Sequence, residues 1–146
     1  MRFRVRDHDD KSLSIPDDLL DLVTTDRVGI VSSIRADGSI ATYTMWIDWD
    51  GEHVLTSSPI GSSKGRNWRR NPQASVAVVD RDDAWRFVII RGPVTEIRPD
   101  VGLEFIDRMS LRYVGAPYFR RHVEREIFVI TPDSIRTGKG GWGRRR

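Results

Sequence analysis

The chain has 146 residues, of which 38% are hydrophobic and 31% are charged, a size and composition typical of one globular domain with its own core. It has no cysteine, which excludes disulfide bonds and thiol chemistry. The net charge is only +3. No apolar run reaches about 18 residues, so we expect no transmembrane helix. The first residues also lack the apolar segment of a secretory signal, which favours a cytoplasmic protein.

The positive charge is concentrated in two segments. Four basic side chains lie between Lys64 and Arg70, and four more lie in the Gly/Arg-rich segment 138–146. The rest of the chain carries more acidic than basic side chains. A local excess of this kind indicates one anionic ligand or a basic tail more than a protein that coats DNA.

The N-terminal half predicts a short helix followed by an antiparallel meander. We expect residues 1–14 to be flexible and Ile15–Thr25 to be helical, with Pro16 in the first turn and its apolar side formed by leucine and valine. Two turns that contain Asp-Gly, at 36–39 and 50–51, separate three β-rich segments. The predicted strands are Arg27–Ile34, Ile40–Ile47 and 52–58.

The next predicted helix carries the first basic segment. It spans Ser62–Arg70, with Ser62 or Ser63 as its cap, and it ends at Asn71-Pro72. The following segment, Gln73–Asp80, predicts a buried strand.

The C-terminal half predicts more strands and one helix. Residues 86–99 predict a long strand pair that is bent or broken at Gly92-Pro93. Pro99 opens a helix, and 125–137 forms the last strand. About six strands with few crossover helices predict a mainly β fold, an antiparallel six-stranded β-barrel with flanking helices, over residues 15–137. The helix that Pro99 opens is predicted to bury its apolar residues Val101, Leu103, Phe105, Ile106 and Met109.

The helix start near Ser62 is a candidate phosphate site. Free backbone N–H groups and the positive end of the helix dipole meet the hydroxyls of Thr56, Ser57 and Ser58 there, and Lys64 lies in the first turn. Arg66 and Asn67 could extend such a site. The local pattern alone leaves a second interpretation open, in which the charge run is an ordinary solvated helix face.

No motif for acid–base, nucleophilic or metal chemistry is found. The cluster Asp7–Asp10 lies in the predicted flexible segment, and His8, His53 and His122 lack metal-ligand spacing. We therefore expect no metal site and assign no catalytic acid or base; Tyr43 and Tyr118 are the candidate hydrogen-bond or proton donors.

The ordered motifs resemble the pyridoxamine 5′-phosphate oxidase-like split β-barrel superfamily. The resemblance covers roughly residues 19–137 and is nearest to the branch of flavin/deazaflavin oxidoreductases that use coenzyme F420. The motifs that carry it, in order, are Asp37-Gly38-Ser39, Trp46, Trp49-Asp50-Gly51, Thr56-Ser57-Ser58 and Lys64-Gly65-Arg66-Asn67-Trp68-Arg69-Arg70-Asn71-Pro72.

The resemblance implies a homodimer with a cofactor groove at its interface. The cofactor phosphate would meet the hydroxyl strand end and Lys64, the ring would lie along the second strand, and the second protomer would close the groove, with Trp85 and Trp142 as candidates. One departure is Ser62, which stands where relatives often have Arg or Lys. The implied cofactor-binding residues are Tyr43, Thr44, Met45, Trp46, Thr56, Ser57, Ser58, Lys64, Arg66, Asn67 and Trp85.

Three functions remain open from the sequence. The first is hydride transfer between coenzyme F420 and a small-molecule substrate, in which the protein binds and orients the cofactor. The second is the same fold with FMN. The third is a non-enzymatic module whose basic helix and tail contact nucleic acid, although no nucleic-acid motif is present.

Overall fold

The computed structural model describes residues 13–141. Most of the predicted flexible segment, the cluster Asp7–Asp10, Trp142 and the terminal arginines lie outside the described residues. The strands are β1 (Gly29–Ile34), β2 (Ile40–Met45), β3 (Ile47–Trp49), β4 (Val54–Pro59), β5 (Gln73–Val79), β6 (Arg86–Pro99), β7 (Arg125–Ile130) and β8 (Ser134–Lys139). The helices are α1 (Asp21–Thr24), α2 (Ser63–Arg70) and α3 (Glu104–Val114), with 3₁₀ turns at Asp17–Leu19 and Val101–Leu103.

All strand pairs are antiparallel and form one curled sheet. Its order is β2-β1-β5-β6-β7-β4-β3, and β8 pairs with β6. The two ends of this order, β2 and β3, are consecutive in the chain, so Trp46 joins them covalently. We call this junction the seam. A sheet whose ends meet in this way is a split barrel, and the predicted mainly β barrel with flanking helices is confirmed.

The predicted three-stranded meander is wrong in its pairing. The return strand Ile40–Ile47 divides at Trp46: β2 pairs with β1, and β3 pairs with β4 at the opposite end of the sheet. A local sequence pattern specifies extended backbone but not the partner of each strand, which is why the division was missed.

Two further strand predictions need correction. The expected pair over 86–99 is one strand, β6, which changes partners along its length. Gly92 lets it pass close to its neighbour, since a Cβ there would lie 2.0 Å from the carbonyl oxygen of Thr131. The expected last strand divides into β7 and β8, so eight strands are found over residues 13–141 instead of about six. The predicted buried strand β5 is buried on one face only, at Ala74, Val76 and Val78.

The helices follow the predicted positions with different starts. The segment 15–25 forms a 3₁₀ turn and a short α1 instead of one helix. Helix α3 begins at Glu104 and not at Pro99, because the Asp100 carboxylate accepts hydrogen bonds from the backbone N–H groups of Phe105 and Ile106 and caps the helix there. Val101, predicted in its apolar face, is 77% exposed.

Two apolar clusters fill the protein. The larger one fills the barrel, and α2 closes one end of it with Trp68, which is 2% exposed and packs edge-to-face on Phe128. The smaller cluster lies between α3 and the outer face of β4 and β7. None of the helices within residues 13–141 is long and apolar enough to span a membrane.

A buried carboxylate fixes α3 to the sheet. Asp48 of β3 accepts hydrogen bonds from Arg108 at 2.6 Å and from Arg112 at 2.9 Å. The Tyr113 hydroxyl donates to the carbonyl oxygen of Arg27 at 2.6 Å and accepts from the N–H of Ile47 at 3.2 Å. These contacts from the later turns of α3 hold the helix against the sheet, and its residues Phe105, Ile106 and Met109 form one wall of a cavity.

Candidate functional site

A cavity of about 230 Å³ lies beside the seam. It is bounded by the end of β2, by β4 and β7, by the first turn of α2 and by α3. Its lining residues are Thr44, Met45, Trp46, Ser57, Lys64, Phe105, Ile106, Met109, Tyr118 and Arg125.

Lys64 enters the cavity from the first turn of α2. The Ser62 hydroxyl accepts a hydrogen bond from the N–H of Gly65 at 3.1 Å, so the predicted serine cap is confirmed and fixes the helix start. The Lys64 ammonium lies 4.8 Å from the centre of the Tyr43 ring, a cation–π contact. Burial, together with the charge of Arg125, lowers the pKa of Lys64.

Arg125, the first residue of β7, supplies a second cation. It is 8% exposed, its Nε donates to the Ser57 hydroxyl at 3.0 Å, and its guanidinium lies 4.9 Å from the centre of the Tyr118 ring. Its Nη1 lies 3.3 Å from the Tyr118 hydroxyl. Burial lowers the pKa of Arg125, which reflects the cost of holding a charge away from water.

The two cations have no carboxylate partner. Within residues 13–141, thirteen ion pairs within 4.0 Å are present, and neither Lys64 nor Arg125 belongs to any of them. Buried charges are normally paired, because desolvation without a partner is costly. Two cations without an ion-pair partner beside a serine hydroxyl therefore form a candidate anion site, and the Asp100 carboxylate acts on Arg125 only from beyond ion-pair distance.

The other walls of the cavity are flat and largely apolar. Trp46 stacks on Tyr113, with ring centres 5.3 Å apart and planes 13° apart. Phe105, Ile106 and Met109 face it from α3. The outer edge of β2 has no strand partner within the described residues, because β2 is an end of the sheet. A flat ring with polar edges suits such walls.

The structure brings six of the eleven predicted binding residues to the cavity beside the seam. Thr44, Met45, Trp46, Ser57 and Lys64 line the cavity, and Tyr43 contacts the Lys64 ammonium.

The other five predicted residues do not line the cavity. Thr56 and Ser58 are buried on the barrel side of β4; the Thr56 hydroxyl donates to the carbonyl oxygen of Trp46 at 2.8 Å. Asn67 is buried, donates to Ser33 and accepts from Arg70. Arg66 donates to the carbonyl oxygen of Gly61 beside its own helix. Trp85 is 57% exposed, at the turn before β6.

Sequence reasoning missed Arg125 and the apolar wall from α3. Arg125 stands 68 positions from Ser57 and follows a charged stretch that reads as a loop. One signal was available: an arginine directly at the start of a strongly apolar strand, 125–130, is a charge that the fold has to bury or use.

A larger cavity of about 350 Å³ lies on the other side of Arg125. Its second arginine, Arg121, is already paired with Asp107 at 2.5 Å. It also contains the carboxylates of Asp100 and Glu124. The smaller cavity is therefore the stronger anion site despite its size. Residues 13–141 contain no group of three or more histidine, aspartate or glutamate side chains arranged to hold a metal ion.

By its fold and this cavity, the protein is a split β-barrel with a cationic pocket beside flat apolar walls. The family described as pyridoxamine 5′-phosphate oxidase matches residues 15–139, and the chain belongs to this family. No curated protein matches the sequence.

Solved structures agree with this assignment. An F420 reductase is 28% identical, with a TM-score of 0.77, and the match covers 84% of this chain and 98% of that one. A conserved hypothetical protein from Mycobacterium tuberculosis is 22% identical, with a TM-score of 0.68 and coverage of 86% and 85%. General Stress Protein 26 from Bacillus anthracis is 18% identical, with a TM-score of 0.64 and coverage of 84% and 92%. The last two likenesses concern the fold alone.

Proposed function

We propose that this protein is an oxidoreductase of the F420-dependent branch, which transfers a hydride between coenzyme F420 and a small organic substrate. The observation that carries the proposal is the pair of cations Lys64 and Arg125, which have no ion-pair partner among residues 13–141 and lie in a cavity with flat apolar walls. The 28% identity to an F420 reductase over nearly all of that chain supports the choice of cofactor.

The residues present fit such a cofactor. Lys64, Arg125 and the Ser57 hydroxyl would hold its phosphate, since charge-assisted contacts to phosphate oxygens are the strong ones. The backbone edge of β2 at Thr44–Met45, which has no strand partner among the described residues, would meet the polar rim of the ring. When bound, the deazaflavin supplies the hydride; the protein binds it, orients it and excludes water.

The apolar wall of α3 has a separate role in this proposal. Phe105 and Ile106 are 6% and 3% exposed and stand in the cavity across from the seam. They displace water from the space next to the ring, which strengthens the electrostatic contacts of the two cations. The hydrogen bonds of Arg108 and Arg112 to Asp48 fix α3 to the sheet and so keep this wall in place.

The cavity of one chain is small for this ligand. Its volume of about 230 Å³ lies below the roughly 300–1,000 Å³ of typical ligand pockets. This supports a homodimer in which a second copy covers the open side of the groove. In that arrangement Trp85 of the partner subunit stays the candidate for closing it.

FMN is the second candidate, and one observation favours it. A terminal phosphate monoester carries close to two negative charges, which matches two uncompensated cations, whereas the internal phosphodiester of coenzyme F420 carries one. The two cofactors predict different behaviour on purification: a tightly held FMN would give a yellow protein, and a host without coenzyme F420 would give a colourless one.

The test is a binding titration of the purified protein with coenzyme F420 and with FMN. Lys64→Ala should lower the affinity for the cofactor at least tenfold, because a charge-assisted hydrogen bond contributes roughly 1.5–3 kcal/mol. The unfolding free energy of Lys64→Ala should not fall, because the variant removes a partly buried cation that has no ion-pair partner among residues 13–141.

Lys139→Ala is the matched control, since Lys139 is exposed and, among residues 13–141, its one ion pair is with Asp18 at 3.7 Å. It should leave both affinities unchanged. Equal affinities of wild type and Lys64→Ala for both cofactors would refute the phosphate site. Nucleic-acid binding stays a prediction from the basic helix, and an oligonucleotide titration at low salt tests it.

A further inference from the structure

Lysine is rare in this protein. The chain has three lysines, Lys11, Lys64 and Lys139, among 24 lysine and arginine residues. Lys139 lies on the surface with its side chain 67% exposed, and Lys11 lies outside the described residues. Lys64 is the lysine that lines a cavity. Lysine differs from arginine here in one chemical respect: its amine can lose the proton and act as a nucleophile.

Burial and a neighbouring charge make the Lys64 ammonium easier to deprotonate than an exposed lysine. The ammonium is partly buried and has no carboxylate within ion-pair distance among residues 13–141. The Tyr43 ring beneath it acts in the opposite direction, since a cation–π contact favours the charged form. The charge of Arg125 acts on it across the same cavity, and both this charge and burial lower the pKa of Lys64. Lys139 lies instead on the surface, with the Asp18 carboxylate at 3.7 Å.

Arg125 remains able to bind an anion while Lys64 reacts. A guanidinium has five N–H donors, and Arg125 uses one for Ser57 and one for Tyr118. Arg125 lines the cavity that Lys64 also lines, and its remaining donors have no hydrogen-bond partner among the described residues. The cavity thus places a nucleophilic amine and a separate anion-binding group together.

We infer that Lys64 is a covalent modification site for small aldehydes that carry a phosphate group. Arg125 and the Ser57 hydroxyl hold the phosphate, and Lys64 Nζ attacks the aldehyde carbon. The resulting carbinolamine loses water, so the C–N bond becomes an imine, the carbonyl oxygen leaves as water and the proton of the ammonium goes to solvent. No oxidant or reductant takes part.

The inference does not depend on the proposed redox function. It requires only the amine, the second cation and the cavity. Where a phosphate-bearing cofactor binds the same cations, the two ligands exclude each other, and imine formation at Lys64 blocks cofactor binding.

The test uses the whole protein without added cofactor and glyceraldehyde 3-phosphate as the probe. The imine is trapped with cyanoborohydride at neutral pH, and modification at each lysine is measured by peptide mass spectrometry. We expect at least tenfold faster modification of Lys64 than of Lys139. Glyceraldehyde, which lacks the phosphate, should lose that preference, because it lacks the contact with Arg125.

Two controls need no change in the fold. Excess inorganic phosphate should protect Lys64 and leave Lys139 as reactive as before. The Lys64→Arg variant, which keeps the charge, should lose the fast phase. Equal rates at Lys64 and Lys139, or the same preference with glyceraldehyde, would overturn the inference, while intact cofactor binding in the same preparation would leave the proposed function standing.

Discussion

Replacing Asp48 with asparagine should destabilise the fold by about 2–3 kcal/mol. The carboxylate is buried, with 7% of its side chain exposed, and it accepts from Arg108 and Arg112 at 2.6 and 2.9 Å. Removing one member of a fully buried ion pair costs roughly 3–5 kcal/mol. The figure is reduced here because the side chains of Arg108 and Arg112 are 52% and 22% exposed and regain water.

The loss should depend on pH in a specific direction. Burial alone would raise the pKa of Asp48, but the hydrogen bonds and charges of Arg108 and Arg112 outweigh it and lower the pKa. A carboxyl with a lowered pKa stabilises the folded state above its unfolded value of about 3.9, and this stabilisation disappears as the pH falls through the folded value. The difference between wild type and Asp48→Asn should therefore be full at pH 7 and shrink below about pH 4.

Urea unfolding at neutral and acidic pH measures both effects. A loss of this size corresponds to a midpoint of thermal unfolding lower by roughly 5–12 °C for a domain of this length. Asp133→Asn is the matched control, because its pair with Arg91 is exposed, at 3.6 Å; it should cost less than about 0.5 kcal/mol. If Asp48→Asn lowers the unfolding free energy by less than about 0.5 kcal/mol, or by the same amount at neutral and acidic pH, the stabilising role of the Asp48 ion pairs is refuted.

Three other predictions concern the surroundings of the cavity. Gly65→Ala should lower stability by about 1 kcal/mol in urea unfolding despite alanine's better helix propensity, because the new Cβ would lie 2.8 Å from the buried Glu126 carboxylate; a more stable variant would contradict this. Tyr113→Phe should lower the unfolding free energy by about 1–2 kcal/mol, because the Ile47 N–H loses its hydroxyl partner. It should leave phosphate affinity, measured by calorimetry, unchanged. A change in affinity would show that the hydroxyl matters to the site. Phosphate affinity should fall as the pH rises through a Lys64 pKa below the usual value of about 10.4, and Lys64→Arg should remove that fall; the same profile in both proteins would exclude Lys64 as its source.

Local features of the fold could be predicted from the sequence. Helix α2 was placed within one residue, because a serine cap and an Asn-Pro stop act on their own neighbours. The turn at Asp37-Gly38-Ser39 was predicted for the same reason, and the Asp37 carboxylate accepts from the Ser39 N–H at 2.9 Å. Lys64 was assigned to the site on these local grounds.

The missing part of the site depends on long-range pairing. Arg125 reaches Ser57 only because β7 pairs with β4, and no local pattern specifies that pairing. The predicted site also included both faces of β4. Neighbouring residues of a strand face opposite sides, so Ser57 lies in the cavity while Thr56 and Ser58 turn into the barrel. Applying this alternation to Thr56-Ser57-Ser58 would have separated them.

The seam at Trp46 has a mechanical consequence. Elsewhere the barrel wall is held by rows of backbone hydrogen bonds, whereas β2 and β3 belong to opposite ends of the sheet and are tied by one residue. Widening the wall at that line would break no strand ladder, but it would break the hydrogen bonds of Thr56 to Trp46 and of Tyr113 to Arg27 and Ile47.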